Sequence, residues 1–200
     1  MTRWYQEKKR EHYYKLAKRE GYRARSSYKL KQIQQRFHVF EEGDVVVDLG
    51  AAPGGWSQIA KEYVGGEGAV IGIDLQSIAP LDGICFIRGD ITHHSSLEAI
   101  NDVLQNRAVD VVLSDMAPNI SGQYSTDHAK SIFLAEQSLH VVESVLRRNG
   151  NYVCKVFMGD LLNRFVESLH NYFSIVKRFT PPASRKTSSE IYIICKYYKK

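Results

Sequence analysis

From residue 44 onward the chain alternates short runs of β-branched residues with amphipathic stretches, and this alternation restricts the fold more than any other feature. Strands that are each followed by a helix-length segment are typical of βα units and a parallel sheet. We predict strands over residues 45–49, 69–74, 84–88, 109–114, 151–156, 174–179 and 190–196, and helices over residues 55–63, 95–105, 129–148 and 160–172. Because the last two strands are close in sequence, we expect an α/β fold with a seven-stranded, doubly wound sheet whose last strand is antiparallel.

A glycine-rich turn follows the first strand. Residues 45–49 run directly into the sequence GAAPGGW at residues 50–56. A strand, a glycine turn and a helix in this order let the backbone approach a ligand closely, because glycine has no Cβ. The third glycine of the dinucleotide pattern G-x-G-x-x-G is missing, which disfavours a nicotinamide-dependent oxidoreductase. A tight turn without a ligand is the simplest alternative.

Acidic residues follow the next three strands at the point where each strand ends. Asp74 ends the second strand, Asp90 follows the third and Asp115 follows the fourth. One such aspartate is more often a cap or turn residue, but three in succession are hard to explain by capping alone. Asp74 can accept both hydroxyls of a ribose, and Asp90 can reach an adenine edge. Together with the glycine turn, these groups match S-adenosylmethionine, which we predict as the cofactor.

The positive charge is concentrated in the first 40 residues. They contain twelve Lys or Arg against three Glu, whereas residues 41–200 contain fifteen Lys or Arg against nineteen acidic residues. Aromatic residues are interleaved with these cations: Trp4, Tyr5, Tyr13, Tyr14, Tyr22 and Tyr28. Cations that neutralise phosphates beside rings that stack on bases favour nucleic-acid binding, although a charge run is often only a solvated face.

Four segments of the chain carry a recognisable pattern: RSSYKL at residues 25–30, DLGAAPGGWSQ at residues 48–58, SDMAPN at residues 114–119 and KVF at residues 155–157. Together they resemble the FtsJ family of RNA ribose methyltransferases, also called the heat-shock ribosomal RNA methyltransferase E family. The resemblance implies a Rossmann-like S-adenosylmethionine-dependent methyltransferase domain over residues 41–200. The charge, the aromatic residues and the helix formers of residues 1–40 predict a basic, helical, RNA-contacting extension, of which about the first twenty residues fall outside the resemblance. The resemblance also implies methylation of a ribose 2′-hydroxyl of RNA, with a uridine of large-subunit ribosomal RNA as the expected target and tRNA as the alternative.

The resemblance also assigns roles to individual residues of this chain. The residues that it places at the cofactor are Gly54, Trp56, Asp74, Asp90 and Asp115. The residues that it places in the catalytic set are Lys29, Asp115, Lys155 and Glu190. All of these residue types are present at the matching positions.

Methyl transfer to a hydroxyl requires groups of the types found in this set. Transfer from a sulfonium to a ribose hydroxyl is an in-line displacement that needs alignment and the removal of one proton. Lys155 ends the predicted fifth strand beside Asp115, so both side chains reach one cleft, and we predict that Lys155 is the general base. Asp115 and Glu190 would orient the amine and the hydroxyl. Without the resemblance, a structural ion-pair network is an equally good interpretation.

We predict roles for three further features of the sequence. We expect residues 118–128, which lack periodicity, to form a mobile substrate loop in which His128 is a loop or cap residue. Tyr192 shares a strand face with Glu190, so it either flanks the target ribose or is a plain core tyrosine. Residues 181–189, with Ser184, Arg185 and Lys186, would deliver Glu190 and add charge near the substrate.

Other classes of protein are disfavoured. Three cysteines (Cys85, Cys154 and Cys195) without a C-x-x-C pair or a histidine cluster suggest reduced core residues, with no disulfide framework and no metal site. The sequence has no run of about 18 apolar residues and no secretory signal, so we expect a cytoplasmic monomer that binds RNA, not DNA or membranes. A non-catalytic RNA-binding module that retains the fold would require a damaged catalytic set, and none is seen.

Overall fold

The computed structural model describes residues 3–185 and 187–200, with side chains from residue 12 onward. Lys186 and the side chains of Trp4 and Tyr5, which figure in the predictions above, lie outside this range. The described helices are α1 (Arg3–Glu20), α2 (Ser27–Phe37), α3 (Gly55–Val64), α4 (His94–Leu104), α5 (Tyr124–Val145) and α6 (Leu162–Leu169). The described strands are β1 (Val45–Leu49), β2 (Ala69–Asp74), β3 (Ile84–Arg88), β4 (Val109–Ser114), β5 (Leu146–Phe157), β6 (Phe173–Phe179) and β7 (Glu190–Tyr198).

The strands form one seven-stranded sheet in the order β3-β2-β1-β4-β5-β7-β6. Strands β1 to β5 pair in parallel, whereas β7 is antiparallel to both β5 and β6, between which it lies. The predicted doubly wound α/β sheet with an antiparallel last strand is confirmed. Chain order reverses between β1 and β4, and ligands of such sheets bind at the carboxyl ends of the strands beside this switch point.

Helices cover both faces of the sheet. On one face, α4, α5 and α6 contribute Ile100, Leu139 and Phe165 to an apolar core. On the other face, α2 and α3 contribute Leu30 and Ile59 to a second core. All of β1 is buried because it lies in the middle of the sheet, as expected for a continuous apolar strand covered on both sides.

Helix α1 packs on the rest of the molecule through its C-terminal half. Ala17 forms a small buried cluster with Tyr28 and Ala183, and the Tyr28 hydroxyl donates a hydrogen bond of 2.7 Å to Glu20. The helix ends at Gly21, whose φ of 76° favours glycine. None of the described helices is both long and apolar enough to cross a membrane.

Three predictions on local structure are wrong. Residues 124–128 are not part of a loop, because α5 begins at Tyr124. Residues 146–148 are not helical but form the start of β5, where Leu146 pairs with Val109 of β4. Cys154 and Cys195 are buried, but Cys85 is exposed, because it lies on β3 at the edge of the sheet.

Candidate active site

The turn between β1 and α3 is packed tightly against its neighbours. Gly50 has a φ of 74°, and a Cβ at this position would lie 2.5 Å from Cγ of Met116. The amides of Gly50 and Ala51 both donate to the carbonyl of Ile73, at the end of β2. Gly54 has a φ of 107° and precedes the first residue of α3. The backbone path of this turn therefore requires glycine. The absence of a Cβ also lets a ligand approach the backbone closely.

Asp74 faces this turn from the carboxyl end of β2. Its Oδ2 accepts a hydrogen bond of 3.0 Å from the amide of Ala52, and its Oδ1 accepts one of 2.8 Å from the amide of Gln76. These two amides hold the carboxylate in a fixed orientation. Each carboxylate oxygen has a second lone pair, so the group can still accept bonds from a ligand.

Asp90 lies beyond the end of β3, just before α4. Its Oδ1 accepts hydrogen bonds from the amide (2.9 Å) and the hydroxyl (2.7 Å) of Thr92. These bonds lower the pKa of Asp90, so the residue stays ionised near neutral pH. Asp90 thus makes the contacts expected of a cap or turn residue. Its carboxylate is also a charged acceptor beside β2.

Asp48 is a buried carboxyl group beneath the glycine turn. Its Oδ2 accepts a hydrogen bond of 2.6 Å from the hydroxyl of Ser57, whereas its Oδ1 has no partner among the described residues. Burial raises the pKa of Asp48 to about 7, and the nearby charges of Asp115 and Asp74 add to this rise. The sequence predictions gave Asp48 no role.

Lys155 and Asp115 are in direct contact at the carboxyl ends of β5 and β4. The Lys155 amine donates to Asp115 Oδ1 at 3.0 Å and to the Asp115 backbone carbonyl at 2.5 Å. The lysine is buried, and the Asp115 side chain is 16% exposed. Adjacent parallel strands therefore bring the two residues together as predicted.

Lys29 and Glu190 form a second ion pair, with a nitrogen–oxygen distance of 2.5 Å. Lys29 is delivered by α2, which packs closely on α3: the hydroxyl of Ser27 donates to the carbonyl of Gly55 at 3.0 Å. Glu190 begins β7 and pairs with Phe157 of β5. Opposite residues of an antiparallel pair point to the same face, so both ion pairs lie on the α2 side of the sheet.

Tyr192 connects the two ion pairs. Its hydroxyl donates a hydrogen bond of 2.8 Å to Asp115 Oδ1, and the Lys29 amine lies 5.7 Å from its ring centroid. Tyr192 is fully buried, so it is a core tyrosine bonded to the site and does not flank the target ribose. Burial, followed by the charges of Asp115 and Glu190, raises the pKa of Tyr192 well above its usual value.

Trp56 is buried between α2 and β7. Its indole nitrogen donates to the carbonyl of Ser26 at 3.0 Å, and its ring stacks on Tyr192 with centroids 5.5 Å apart. These contacts connect the start of α3, where the glycine turn ends, to the catalytic strand. Contact of Trp56 with the cofactor stays a prediction.

Arg23 fastens the segment between α1 and α2 to the loops beside Asp74. Its guanidinium donates to the carbonyls of Pro53 (3.2 Å), Ala79 (2.6 Å) and Pro80 (2.7 Å). Sequence reasoning gave this arginine no part in the site. A guanidinium with five donors can join two loops in this way, but the carbonyl partners cannot be read from a sequence.

His128 joins the start of α5 to the end of β5. Its Nδ1 lies 2.9 Å from the carbonyl of Phe157, and its Nε2 accepts a hydrogen bond of 3.0 Å from the amide of Leu161. The prediction of a loop or cap role for His128 is wrong, because the residue is buried within α5.

Residues 22–198 match the model of the FtsJ-like methyltransferases. The chain belongs to this family. It is 53% identical over 187 residues to the ribosomal RNA large subunit methyltransferase E of Methanothrix thermoacetophila, covering 94% of this chain and 72% of the relative. It is 46% identical over 200 residues to the protein of that name from Methanocaldococcus jannaschii, covering 98% of this chain and 82% of the relative.

Solved structures of related proteins share the fold. A crystal structure from Plasmodium falciparum, named as a ribosomal RNA methyltransferase, superposes with a TM-score of 0.80 at 27% identity, covering 88% of this chain and 98% of that one. The FtsJ resemblance of the four sequence motifs is thus confirmed by the family match.

The described residues fit the cofactor that an FtsJ-like methyltransferase implies. A glycine turn in close backbone contact with its neighbours donates the Ala52 amide to Asp74 and lies against Met116, the residue after Asp115, and Asp90 follows β3, one strand further out. Carboxylates suit the hydroxyl and amino donors of S-adenosylmethionine. Within the described ranges, no three His, Cys, Asp or Glu side chains gather where a metal ion could bind.

Proposed function

We propose that this FtsJ-like methyltransferase uses S-adenosylmethionine to methylate a ribose 2′-hydroxyl of large-subunit ribosomal RNA, with a uridine as the target nucleoside. The observation that carries the proposal is the buried Lys155–Asp115 pair beside the Lys29–Glu190 pair, at the carboxyl edge where the cofactor aspartates lie. The substrate follows from the names of the relatives at 53% and 46% identity.

Lys155 would remove the proton from the 2′-hydroxyl. A neutral amine has two N–H groups and one lone pair, and the two oxygens of Asp115 account for both N–H groups. The lone pair is then left to accept the proton as the hydroxyl oxygen forms its new bond to carbon. The cofactor, when bound, supplies an electrophilic methyl group on its sulfonium.

The remaining polar residues would hold the reactants in line. Asp115 orients the Lys155 amine, and the Lys29–Glu190 pair provides a donor and an acceptor for the ribose on the same face of the sheet. Gly54, Trp56, Asp74, Asp90 and Asp115 would form the cofactor subsite. Residues 1–40 would supply cations for the RNA backbone, and the protein would act as a cytoplasmic monomer on the free RNA or the ribosomal subunit.

Radiolabelled methyl transfer tests this function. Purified large ribosomal subunits, free ribosomal RNA and tRNA would each be incubated with the protein and labelled S-adenosylmethionine, with Lys155→Ala as the control. We expect label in ribosomal RNA within an alkali-resistant dinucleotide, since a methylated 2′-oxygen cannot attack the adjacent phosphate. Label only in tRNA would establish the alternative substrate, and label in a base would contradict ribose methylation. No transfer to any of the three would indicate a non-catalytic RNA-binding module.

A further inference from the structure

Four large apolar side chains are exposed in the two segments that follow β4 and β5, the strands whose carboxyl ends carry Asp115 and Lys155: Ile120 (73% exposed), Tyr124 (60%), Met158 (43%) and Leu161 (42%). Single exposed apolar residues need no explanation, but a group of them at one place marks a binding surface. They come from the two segments that leave the ends of β4 and β5. We call this group the apolar rim.

Tyr124 projects beyond the edge of the sheet. At 100° per residue it shares a face of α5 with His128, Ser131 and Ala135, all of which are buried against the sheet. Tyr124 is exposed although it lies on this inward face. The first turn of α5 must therefore extend past the carboxyl ends of the strands, where the Lys155–Asp115 pair lies.

Hydrogen bonds hold Tyr124 in place. Its hydroxyl donates to the carbonyl of Met158 at 2.7 Å. The carboxylate of Asp127 accepts bonds from the amide (2.8 Å) and hydroxyl (2.7 Å) of Ser121 and from the amide of Gly122 (3.1 Å). Residues 121–127 therefore form a fixed turn, and the ring of Tyr124 is an ordered aromatic surface in contact with water.

The apolar rim is continuous with the catalytic strands. Met158 follows Lys155 by three residues, and its amide donates a hydrogen bond of 2.7 Å to the carbonyl of Ser189, next to Glu190. A Cβ on the next residue, Gly159, would lie 2.4 Å from Cγ of His128, so this backbone is packed closely against α5. Two hydrogen bonds therefore link Tyr124 through Met158 to Ser189, the residue before Glu190.

We propose that Tyr124, supported by Met158 and Ile120, stacks on the base of the nucleotide whose ribose is methylated. The proposal rests on the proposed function and deepens it. A ribose can enter a cleft only when its nucleotide is unpaired, and its unstacked base then exposes two apolar faces to water. An ordered tyrosine at the mouth of the cleft covers one of these faces, and stacking of this kind accepts any base.

Single-turnover methyl transfer to full-length ribosomal RNA provides the first test. Tyr124→Ala should raise the RNA concentration for half-maximal rate by about 5- to 150-fold, the range for loss of one stacked base. Tyr124→Phe, which keeps the ring, should have a much smaller effect. Phe133→Ala is the matched control, because Phe133 is 51% exposed and lies nine residues along α5, on the opposite face. Melting temperature and cofactor affinity should be equal in all variants.

An abasic substrate tests which group is stacked. Ribosomal RNA assembled by splinted ligation would carry a ribose without a base at the mapped nucleotide. On this RNA the wild type should bind as weakly as Tyr124→Ala, and the two proteins should no longer differ. The base-stacking role would be overturned if Tyr124→Ala needed no more RNA for half-maximal rate than the wild type. It would also be overturned if the two proteins differed as much on the abasic RNA as on normal RNA. Neither result would affect the proposal of ribose methylation. Absence of methyl transfer by the wild type would overturn both proposals.

Discussion

The hydroxyl of Tyr192 and the carboxylate of Asp115 are joined by a hydrogen bond of 2.8 Å, to the same Oδ1 that accepts the Lys155 amine. Tyr192 also stacks on Trp56. A buried tyrosine thus positions the aspartate that holds Lys155, the proposed general base. Because its pKa is raised, its hydroxyl keeps its proton and remains a donor through the neutral range.

Replacement of Tyr192 by phenylalanine should therefore lower kcat by about 10- to 150-fold, the effect of losing one hydrogen bond to a charged group. The KM for S-adenosylmethionine should change little, since the ring still stacks on Trp56. Tyr198→Phe is a suitable control, because Tyr198 is buried on the same strand and its hydroxyl has no partner among the described residues. Equal kcat in both variants would contradict a positioning role for Tyr192.

Asp74→Ala should weaken S-adenosylmethionine binding by about 1.5 to 3 kcal/mol, because it removes a charged acceptor for the two ribose hydroxyls. Isothermal titration calorimetry measures this directly. Asp82→Ala, an exposed acid in the loop that follows β2, should bind the cofactor as tightly as the wild type. If a folded Asp74→Ala protein retains full affinity, the cofactor ribose does not bind at Asp74.

The sheet could be predicted from sequence because its signals are local. Short apolar runs give β1 to β4 the bounds that we predict, and the turn and acids at their ends follow from the chain direction. The start of α5 was missed because residues 118–128 show no apolar period. That turn is held by contacts of Asp127 with Ser121 and Gly122. The start of β5 was missed because Leu146-Arg147-Arg148 continues a helical pattern until it pairs with β4.

The support of the catalytic residues could not be predicted, because it depends on contacts between distant parts of the chain. Tyr192 and Asp115 are 77 residues apart, and His128 and Leu161 are 33 residues apart. Neither the hydrophobic periodicity of the sequence nor the spacing of its motifs indicates which distant residues are in contact. The resemblance indicates which residues form the proposed catalytic set. The orientation of their side chains depends on residues outside the four motifs, such as Tyr192.

The free energy of unfolding should depend on pH because of Asp48, and the substitution Asp48→Asn should remove this dependence. The carboxyl has a pKa of about 7 in the folded protein, against an ordinary value of 3.8. Below about pH 4 both states are protonated, and as the pH rises towards 7 the unfolded state ionises first, so stability falls. Asp48→Asn should therefore gain stability relative to the wild type across this range, approaching about 4 kcal/mol above pH 7.

Urea unfolding of the two proteins at about pH 5 and about pH 8 measures this difference. Asp82→Asn, at an exposed position, is the matched control for the replacement of a carboxylate by an amide. Parallel profiles for Asp48→Asn and wild type would mean that Asp48 is ionised throughout this range in the folded protein.

The basic extension should contribute ionic contacts to RNA. Deletion of residues 1–20 would also remove the packing of Ala17 and Glu20, so we favour replacing Lys8, Lys9 and Arg10 together by glutamine. RNA affinity should fall, and the slope of its logarithm against the logarithm of salt concentration should flatten by up to about 2. Lys177→Gln on β6 controls for the loss of an exposed cation outside the extension. An unchanged slope in the triple variant would mean that these cations are merely solvated.

Replacement of Lys155 tests the mechanism most directly. Lys155→Ala should leave cofactor affinity nearly intact while turnover falls by about 10² to 10⁴, the usual contribution of a positioned base. Lys155→Arg should be nearly as damaging, because a guanidinium retains the charge but cannot give up its proton. Single-turnover methyl transfer by the arginine variant at most of the wild-type rate would show that Lys155 acts only as a positive charge that positions the ribose, with the proton leaving by another route.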